Sequence, residues 1–422
     1  MNGNIKIKVS AGLLPLTVAI SLILTVICGA LILVLYYNNL LWLKHEKDMR
    51  FVNNILSARE YVLASNVMNF PPGEVMGVDL FDEGKDSVLI QRNRWGAFDL
   101  FLLEAIGGKR KRKEAFLAAK TVPLYPEVAL YLADHNGVGL TLIGHTSIVG
   151  NASLPKQGVQ AGYLNHQSFV GAQLVNGTRE QSLSTIPQLS EEFTEVFRNL
   201  TAVRKTEKTT CYKDLRTISL DNPFTAPTKY LVSDERITLS EAFSGNIIIC
   251  SSAEIEITSS CQTDNVILVA PRVLVKSRFS GNLQVFATES IVVEDHVKMG
   301  YPSVLVCQNS DGTKIEIGRN TVIEGGVYHL DFQKGSNESY GSLFIDEALV
   351  VGQVVSSGNV ELLGSVYGQL ICEKTIYRGQ GGKIYNNYLV DCEIDITKLP
   401  ALFLFPAVLD NQSSTVEILR DL

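Results

Sequence analysis

The chain has 422 residues, 46% of them hydrophobic, and a formal net charge of −7. This length allows two or three domains, and the hydrophobic content excludes an intrinsically disordered chain. The acidic balance provides no general attraction to a polyanion, so we expect no nucleic-acid partner.

An uncharged apolar run occupies residues 11–37. At 1.5 Å per residue it reaches about 40 Å as a helix, more than the ~30 Å hydrocarbon core of a bilayer. A cleaved secretory signal is the competing interpretation, because Lys6 and Lys8 precede the run. The run exceeds the roughly 7–15 apolar residues of a signal, and no small-residue cleavage site follows Tyr37. We therefore predict an uncleaved transmembrane segment over 11–37.

The direction in which this segment crosses the membrane is not decided by the positive-inside rule. Lys6 and Lys8 before the run are balanced by Lys44, Lys47 and Arg50 after it. We expect the commoner arrangement, in which residues 1–10 form a cytoplasmic stub and the bulk of the chain is extracytoplasmic.

The helix is predicted to continue as an amphipathic extension over residues 38–70. Phe51, Ile55, Ala58 and Val62 share one face at helical spacing. Because neither Gly nor Pro interrupts the segment, we expect it to end at the Pro71-Pro72-Gly73 sequence.

A small antiparallel β domain is predicted over residues 74–125. Its first two strands flank a turn at 82–86, a third begins at Trp95, and 115–122 forms a fourth. A basic cluster at 109–113 precedes the fourth strand. It is typical of a solvated loop at a hairpin tip, and near a membrane surface it would contact anionic headgroups.

A β-solenoid is predicted over residues 138–400. The sequence Phe243-Ser244-Gly245-Asn246 recurs unchanged 36 residues later at 279–282, which we interpret as two coils of about 18 residues each. Ile255 and Ile257 alternate with glutamates, as expected of a strand with one buried face. A β-sandwich fits the strand spacing too, but not the repetition.

A helical insertion near 190–200, capped by Ser190, and a C-terminal tail at 401–422 complete the prediction. The fold class is thus mainly β with a long N-terminal α-helix. A transmembrane helix is followed by a small antiparallel sheet and then a single-stranded β-helix, or solenoid.

Two acidic pairs are the candidates for catalysis, Glu254 with Glu256 and Glu294 with Asp295. Polysaccharide cleavage on a β-solenoid needs two carboxylates about 5–9 Å apart. A solvated strand shows the same pairs, however, and the six histidines form no HxH or HExxH motif. We expect no catalytic residue, no cofactor and no metal, and therefore no enzyme.

Six cysteines follow the membrane segment at wide spacings and without a CxxC motif. The apolar sequences around several of them favour small buried side chains over disulfides. The six are Cys211, Cys250, Cys261, Cys307, Cys372 and Cys392.

The N-terminus resembles type IV pilins and the minor pseudopilins of type II secretion systems over about 120 residues. The resemblance rests on a short basic leader, the small residues Ser10-Ala11-Gly12, the apolar helix with its amphipathic extension, and the small sheet. It departs from the family at one position. If processing followed Gly12, Thr17 would stand where those proteins carry a glutamate.

Most of the chain resembles envelope proteins of Bacteroidota, which implies a compartment and an architecture but no chemical activity. The segments that carry this resemblance are Asp86-Ser87-Val88, Trp95-Gly96, 150–156, 279–287 and Tyr301-Pro302-Ser303.

The resemblances imply a non-enzymatic structural or assembly protein in the bacterial cytoplasmic membrane. Its expected partners are the lipid bilayer and the proteins of a pilus or a type II-like secretion assembly. The alternatives are a surface glycan-binding or polysaccharide-cleaving β-helix, and a homo-oligomer built by end-to-end stacking of solenoids.

Overall fold

A computed structural model describes residues 13–80, 86–107, 110–120, 128–135, 137–203, 219–308, 313–330, 341–410 and 415–422. A long apolar N-terminal helix is followed by a small antiparallel sheet and a parallel β-solenoid of about 11 turns. The predicted fold class is therefore confirmed. The expected cytoplasmic stub, Cys211 and most of the turn at 82–86 lie outside the described residues.

The helices are α1 (Leu13–Ala64) and α2 (Glu191–Thr201). The strands are, in chain order, β1 (Val75–Val78), β2 (Asp86–Trp95), β3 (Phe98–Gly107), β4 (Arg110–Lys120), β5 (Val128–Leu132), β6 (Leu140–Ile143), β7 (Ser147–Val149), β8 (Asn151–Leu154), β9 (Val159–Ala161), β10 (Tyr163–Leu164), β11 (Gln167–Ser168), β12 (Arg179–Gln181), β13 (Leu220–Asn222), β14 (Lys229–Ser233), β15 (Ile237–Leu239), β16 (Ala242–Gly245), β17 (Ile247–Ser251), β18 (Glu254–Ile257), β19 (Gln262–Asp264), β20 (Val266–Val275), β21 (Ser280–Gly281), β22 (Leu283–Val293), β23 (Lys298–Gln308), β24 (Lys314–Ile317), β25 (Val322–Leu330), β26 (Ser342–Ile345), β27 (Leu349–Leu362), β28 (Ser365–Arg378), β29 (Ile384–Asn386), β30 (Tyr388–Val390), β31 (Glu393–Asp395) and β32 (Val416–Asp421).

Helix α1 ends at Ala64, six residues before the predicted end. Asn66 has extended backbone angles, and its side-chain oxygen accepts a hydrogen bond from the Met68 amide. This local bond caps a short 3₁₀ helix at Val67–Asn69 and competes with continuation of the α-helix. The Asn66 cap, rather than the proline pair, therefore ends α1.

The antiparallel sheet has the order β1-β2-β3-β4-β32. Its fifth strand comes from the C-terminus, where β32 pairs antiparallel with β4. The prediction of a separate C-terminal tail over 401–422 is therefore wrong for its last residues. Pairing with β4 satisfies the backbone groups of what would otherwise be an exposed sheet edge.

Each solenoid coil contributes strands to three parallel sheets, here called faces. Face 1 includes β14, β17 and β5, face 2 includes β15, β18 and β24, and face 3 includes β16, β19 and β31. On face 1, Ile248 pairs with Ile267, which pairs with Gln284. Positions 36 residues apart are thus separated by one intervening coil, which confirms the two-coil interpretation of the repeat. The parallel pairing excludes a β-sandwich.

Faces 1 and 2 differ in how their outer sides are covered. On face 2, Ile255 and Ile257 are fully buried inside while Glu254 and Glu256 point outward. On face 1, by contrast, every residue of β17 is buried. The apolar run of β17 reflects burial on both sides, because the antiparallel sheet and α2 cover the outside of face 1.

The order of the coils in the stack differs from their order in the chain. Residues 128–181 form coils that stack beyond the last C-terminal coil, where Leu130 pairs with Leu370 and Ile148 pairs with Ile394. The chain then passes through α2 and resumes stacking at β13, which pairs with β16 on face 3. The solenoid therefore begins at Val128, earlier than the predicted residue 138.

Helix α2 lies where the sequence placed the insertion, and Phe193 and Phe197 are its buried residues. Ser190 precedes it, but its side chain makes no capping hydrogen bond. Ser190 is therefore the N-cap residue, as predicted, but its hydroxyl does not bond the first turn. The helix keeps Glu191 and Glu192 in its first turn, where carboxylates interact favourably with the helix dipole.

Candidate functional site

The N-terminal part of α1 is long and apolar enough to cross a membrane. Its most apolar window has a mean hydropathy of 3.0, and none of that window is buried against the rest of the described chain. Composition and length fit a membrane anchor or a signal sequence. Leu22 and Ile32, for example, expose 62% and 67% of their surface, which in water would be unfavourable.

The C-terminal part of α1 packs against the antiparallel sheet. The predicted apolar face is confirmed, since Phe51, Ile55, Ala58 and Val62 are all buried. They pack in one cluster with side chains of β2, β3 and β4. Helix and sheet therefore form one packed unit that extends directly from the apolar segment.

The basic cluster lies beside the helix just beyond the apolar segment. Arg110 Nη1 is 3.2 Å from the carboxylate of Asp48, and Lys111 Nζ is 2.9 Å from that of Glu104. Lys44 is the first charged residue after the apolar run. Asp48 comes four residues later, which is about 6 Å further along the helix. The described part of the cluster starts strand β4 rather than forming a loop, and Lys109 lies outside the described residues.

The antiparallel sheet is docked on face 1 of the solenoid by buried polar contacts. Gln284 accepts a hydrogen bond from the Ala97 amide at 2.8 Å and donates one to the Trp95 carbonyl at 3.0 Å. The indole of Trp95 donates to the Asn265 carbonyl at 3.1 Å. Because these partners lie on different domains, the bonds fix how the sheet sits on the solenoid.

A buried ionic network connects the same sheet to α2. Arg92, which is 1% exposed, bonds Asp99 at 2.9 Å and Glu192 at 3.0 Å. Arg94 bonds the same two carboxylates at 2.9 and 3.0 Å. Two guanidinium groups thus balance two carboxylates, which limits the cost of burying charge.

Glu254 and Glu256, the first catalytic candidates, lie in a ladder of ion pairs across neighbouring coils. Glu254 is 3.3 Å from Arg236 and 3.6 Å from Arg272, and Glu256 is paired with Arg236 as well. The coils bring the arginines to the carboxylates from strands about 18 residues away. The arrangement joins successive coils, and it leaves the carboxylates bound to cations.

Glu294 and Asp295, the second pair, also have structural partners. Glu294 accepts bonds from Lys276 Nζ at 2.5 Å and the Ser277 amide at 2.9 Å. The bond from Lys276 lowers the pKa of Glu294, which favours its ionised form and does not suit a general acid. Asp295 accepts a bond from the Arg319 amide at 2.8 Å.

The histidines remain scattered, and the described residues contain no group of three or more His, Cys, Asp or Glu that could hold a metal ion. His329 is fully buried and lies 2.9 Å from the Thr313 hydroxyl and 3.0 Å from that of Ser356. Burial lowers its pKa to about 4, so the imidazole is neutral at physiological pH.

The described solenoid cysteines are buried, as the sequence indicated: Cys250, Cys261, Cys307, Cys372 and Cys392. Burial raises the pKa of Cys261 and of Cys307 to about 12. Protonated, enclosed thiols of this kind are poor nucleophiles.

No protein-family model and no curated protein matches the chain. Among solved structures, the chain is similar to the crystal structure of the competence-associated pilin ComZ from Thermus thermophilus. The sequences are 10% identical, the match covers 83% of this chain and 86% of that one, and the TM-score is 0.29. A TM-score this low does not establish a common fold.

Proposed function

We propose that the protein is a non-enzymatic structural or assembly component of a bacterial cell envelope. The apolar part of α1 anchors it in the cytoplasmic membrane, and the solenoid projects on the extracytoplasmic side. Its role is that of a minor pilin-like subunit in a pilus or a type II-like secretion assembly.

The observation that carries this proposal is the packed connection from the membrane segment to the solenoid. Helix α1 is continuous from Leu13 to Ala64, and its last turns are buried against the sheet. The sheet is in turn bonded to face 1 through Gln284. Cleavage after the apolar segment would cut within this helix, which favours a retained anchor over a removed signal.

A photo-crosslinker placed at Leu22 of the full-length chain, in native membranes, tests the proposal. The side chain is exposed on the apolar part of α1, so we expect adducts with a transmembrane helix of an envelope assembly protein. A crosslinker at Ile255, which is fully buried in the solenoid, is the matched control. Replacing residues 13–43 by an unrelated transmembrane helix should abolish the adduct. Capture of no protein from Leu22 would refute the assembly role.

The glycan alternative divides into cleavage and binding. Cleavage would need the candidate carboxylates to be available, whereas Glu254 and Glu256 are engaged by arginines. We expect the Glu254→Gln variant to cleave any polysaccharide substrate at the same rate as the unsubstituted protein. Loss of cleavage in this variant would support the polysaccharide-cleaving alternative.

A further inference from the structure

The first residues of strand β4 lie at the end of the sheet that is closest to the apolar part of α1. Two contacts fix the direction of the strand along the helix. Arg110 Nη1 is 3.2 Å from the Asp48 carboxylate. Further along both elements, the guanidinium of Arg59 lies over the ring of Phe116, 5.7 Å from its centre. Strand and helix therefore run in the same direction, and β4 begins beside the point where the apolar segment ends.

Aromatic side chains indicate the level at which α1 leaves the membrane. Tyr36, Tyr37 and Trp42 are exposed near the end of the apolar segment, as in the aromatic belts of membrane interfaces. Asp48 lies six residues beyond Trp42, or about 9 Å along the helix. The headgroup layer adds about 5–8 Å to each side of the hydrocarbon core. Arg110, which contacts Asp48, is thus at the outer edge of the headgroups.

Six basic side chains form a surface at this level, here called the basic patch: Lys44 and Lys47 of α1 with Arg110, Lys111, Arg112 and Lys113 of β4. Three carboxylates contact it, those of Asp48, Glu104 and Glu114, so its net charge is +3. The whole chain, by contrast, carries −7. The basic patch is therefore a local excess of positive charge on an acidic protein.

The ion pairs within the basic patch leave it able to bind further anions. The four paired side chains of β4 are each 47–60% exposed, and exposed pairs are weak because water competes for both partners. Lys111 and Lys113 share the one carboxylate of Glu104. Asp86 starts β2, two strand spacings or about 10 Å from β4, which exceeds the Debye length of about 8 Å.

We infer that the basic patch binds the phosphate headgroups of anionic phospholipids in the leaflet from which α1 emerges. Lysine and arginine form charge-assisted hydrogen bonds with phosphate oxygens, and the attraction of an anionic surface acts within a Debye length. The contact holds the sheet, and with it the solenoid, against the membrane surface. An acidic protein surface is the competing occupant, but lipid adjoins the basic patch whenever α1 is inserted. The inference rests on the proposed membrane anchoring and not on the assembly role.

The test measures which lipid surrounds the full-length chain in nanodiscs of phosphatidylcholine and phosphatidylglycerol at equal mole fractions. The reporter is Leu41→Trp in a Trp42→Phe background, at an exposed position seven residues before Asp48 and on the same side of α1. Bromine, a short-range quencher, is attached to the same acyl position of one lipid or the other. The Trp42→Phe parent supplies the background emission of Trp95. We expect phosphatidylglycerol to be enriched about fivefold beside the reporter, the effect of one net basic side chain.

Two double variants locate the contact, and each removes two positive charges. Lys44→Gln with Lys47→Gln tests the helix, and Arg112→Gln with Lys113→Gln tests the strand. Each should lower the enrichment by about twofold or more. The four side chains are exposed, and the emission of Trp95 in the parent background checks that the sheet remains docked.

The matched control is Lys229→Gln with Lys298→Gln, which removes the same charge from exposed lysines of the solenoid and should leave the enrichment unchanged. A measurement in about 1 M salt, where the Debye length is about 3 Å, needs no substitution and should abolish the enrichment. Equal quenching by both brominated lipids refutes the lipid inference but leaves the anchor intact, and the basic patch is then available to an acidic protein. Quenching by neither lipid refutes the anchoring as well. Enrichment that persists in the strand variant refutes the contact by β4.

Discussion

The contact between Gln284 and the turn of the antiparallel sheet can be tested by Gln284→Ala. The Gln284 side chain is 3% exposed and satisfies both the Ala97 amide and the Trp95 carbonyl. Each buried backbone group left without a partner costs about 1–3 kcal/mol. The Trp95 carbonyl still pairs with Phe98 across the turn, so the Ala97 amide is the group that loses its partner. Docking should therefore weaken by about 1–3 kcal/mol, with the lower value if water enters the space. We expect the sheet to detach locally from the solenoid before either part unfolds.

Trp95 reports this detachment directly. The chain has two tryptophans, and Trp42 lies in α1, so a Trp42→Phe background isolates the signal of Trp95. Trp95 is 2% exposed, and Gln284→Ala should shift its emission to longer wavelength and increase quenching by acrylamide. Gln262→Ala, at an exposed residue of strand β19, is the matched control. If Gln284→Ala is quenched no more than Gln262→Ala, the reasoning is refuted.

Three further predictions concern stability. His329 has a pKa of about 4 when folded against about 6.5 when unfolded, so the unfolded chain binds the proton first. The free energy of unfolding should therefore fall by about 3 kcal/mol as the pH drops from 6.5 to 4, which denaturant titration measures. Gly96→Ala should lower the melting temperature markedly, because φ is +59° and the new Cβ would clash with Gln284. Ile55→Ala should cost about 2–5 kcal/mol and expose α1 to limited proteolysis, since the side chain is buried against the sheet.

Each of these predictions has a matched comparison. His329→Gln should remove the pH-dependent component, and an unchanged pH dependence would contradict the assignment. Gly73→Ala has φ of +84° but no atom within 4 Å of the new Cβ, so it should be milder than Gly96→Ala. Leu56 is 49% exposed, and Leu56→Ala should change stability by about 0.5 kcal/mol or less. If Gly73→Ala lowered stability as much as Gly96→Ala, or Leu56→Ala as much as Ile55→Ala, the packing described would be contradicted.

The features that sequence predicted correctly are those set by local periodicity. The helical spacing of Phe51, Ile55, Ala58 and Val62 identified the buried face of α1, because residues three and four apart share one side of a helix. The alternation of isoleucine and glutamate around Ile255 identified the inward side of face 2, because successive side chains of a strand point to opposite sides.

The residues of the candidate sites were harder to interpret, because their roles depend on neighbours far away in the chain. Glu254 appears in the sequence as an acidic residue on a strand, and the stacking of coils gives it the arginines at 236 and 272. In the sequence, Gln284 is a polar residue in an apolar strand, and this alone does not indicate its role in docking. Its role follows from the turn at Ala97, which another domain presents to it.

By itself, the sequence determined the apolar helix, its amphipathic continuation, the two-coil repeat and the parallel β architecture. Tertiary structure decided the order of the coils, since Leu130 pairs with Leu370 across 240 residues of chain. It also decided that β32 completes the antiparallel sheet. A hydrophobic pattern states that a strand is buried, but it does not specify which strand lies beside it. That choice depends on the combined packing of distant segments.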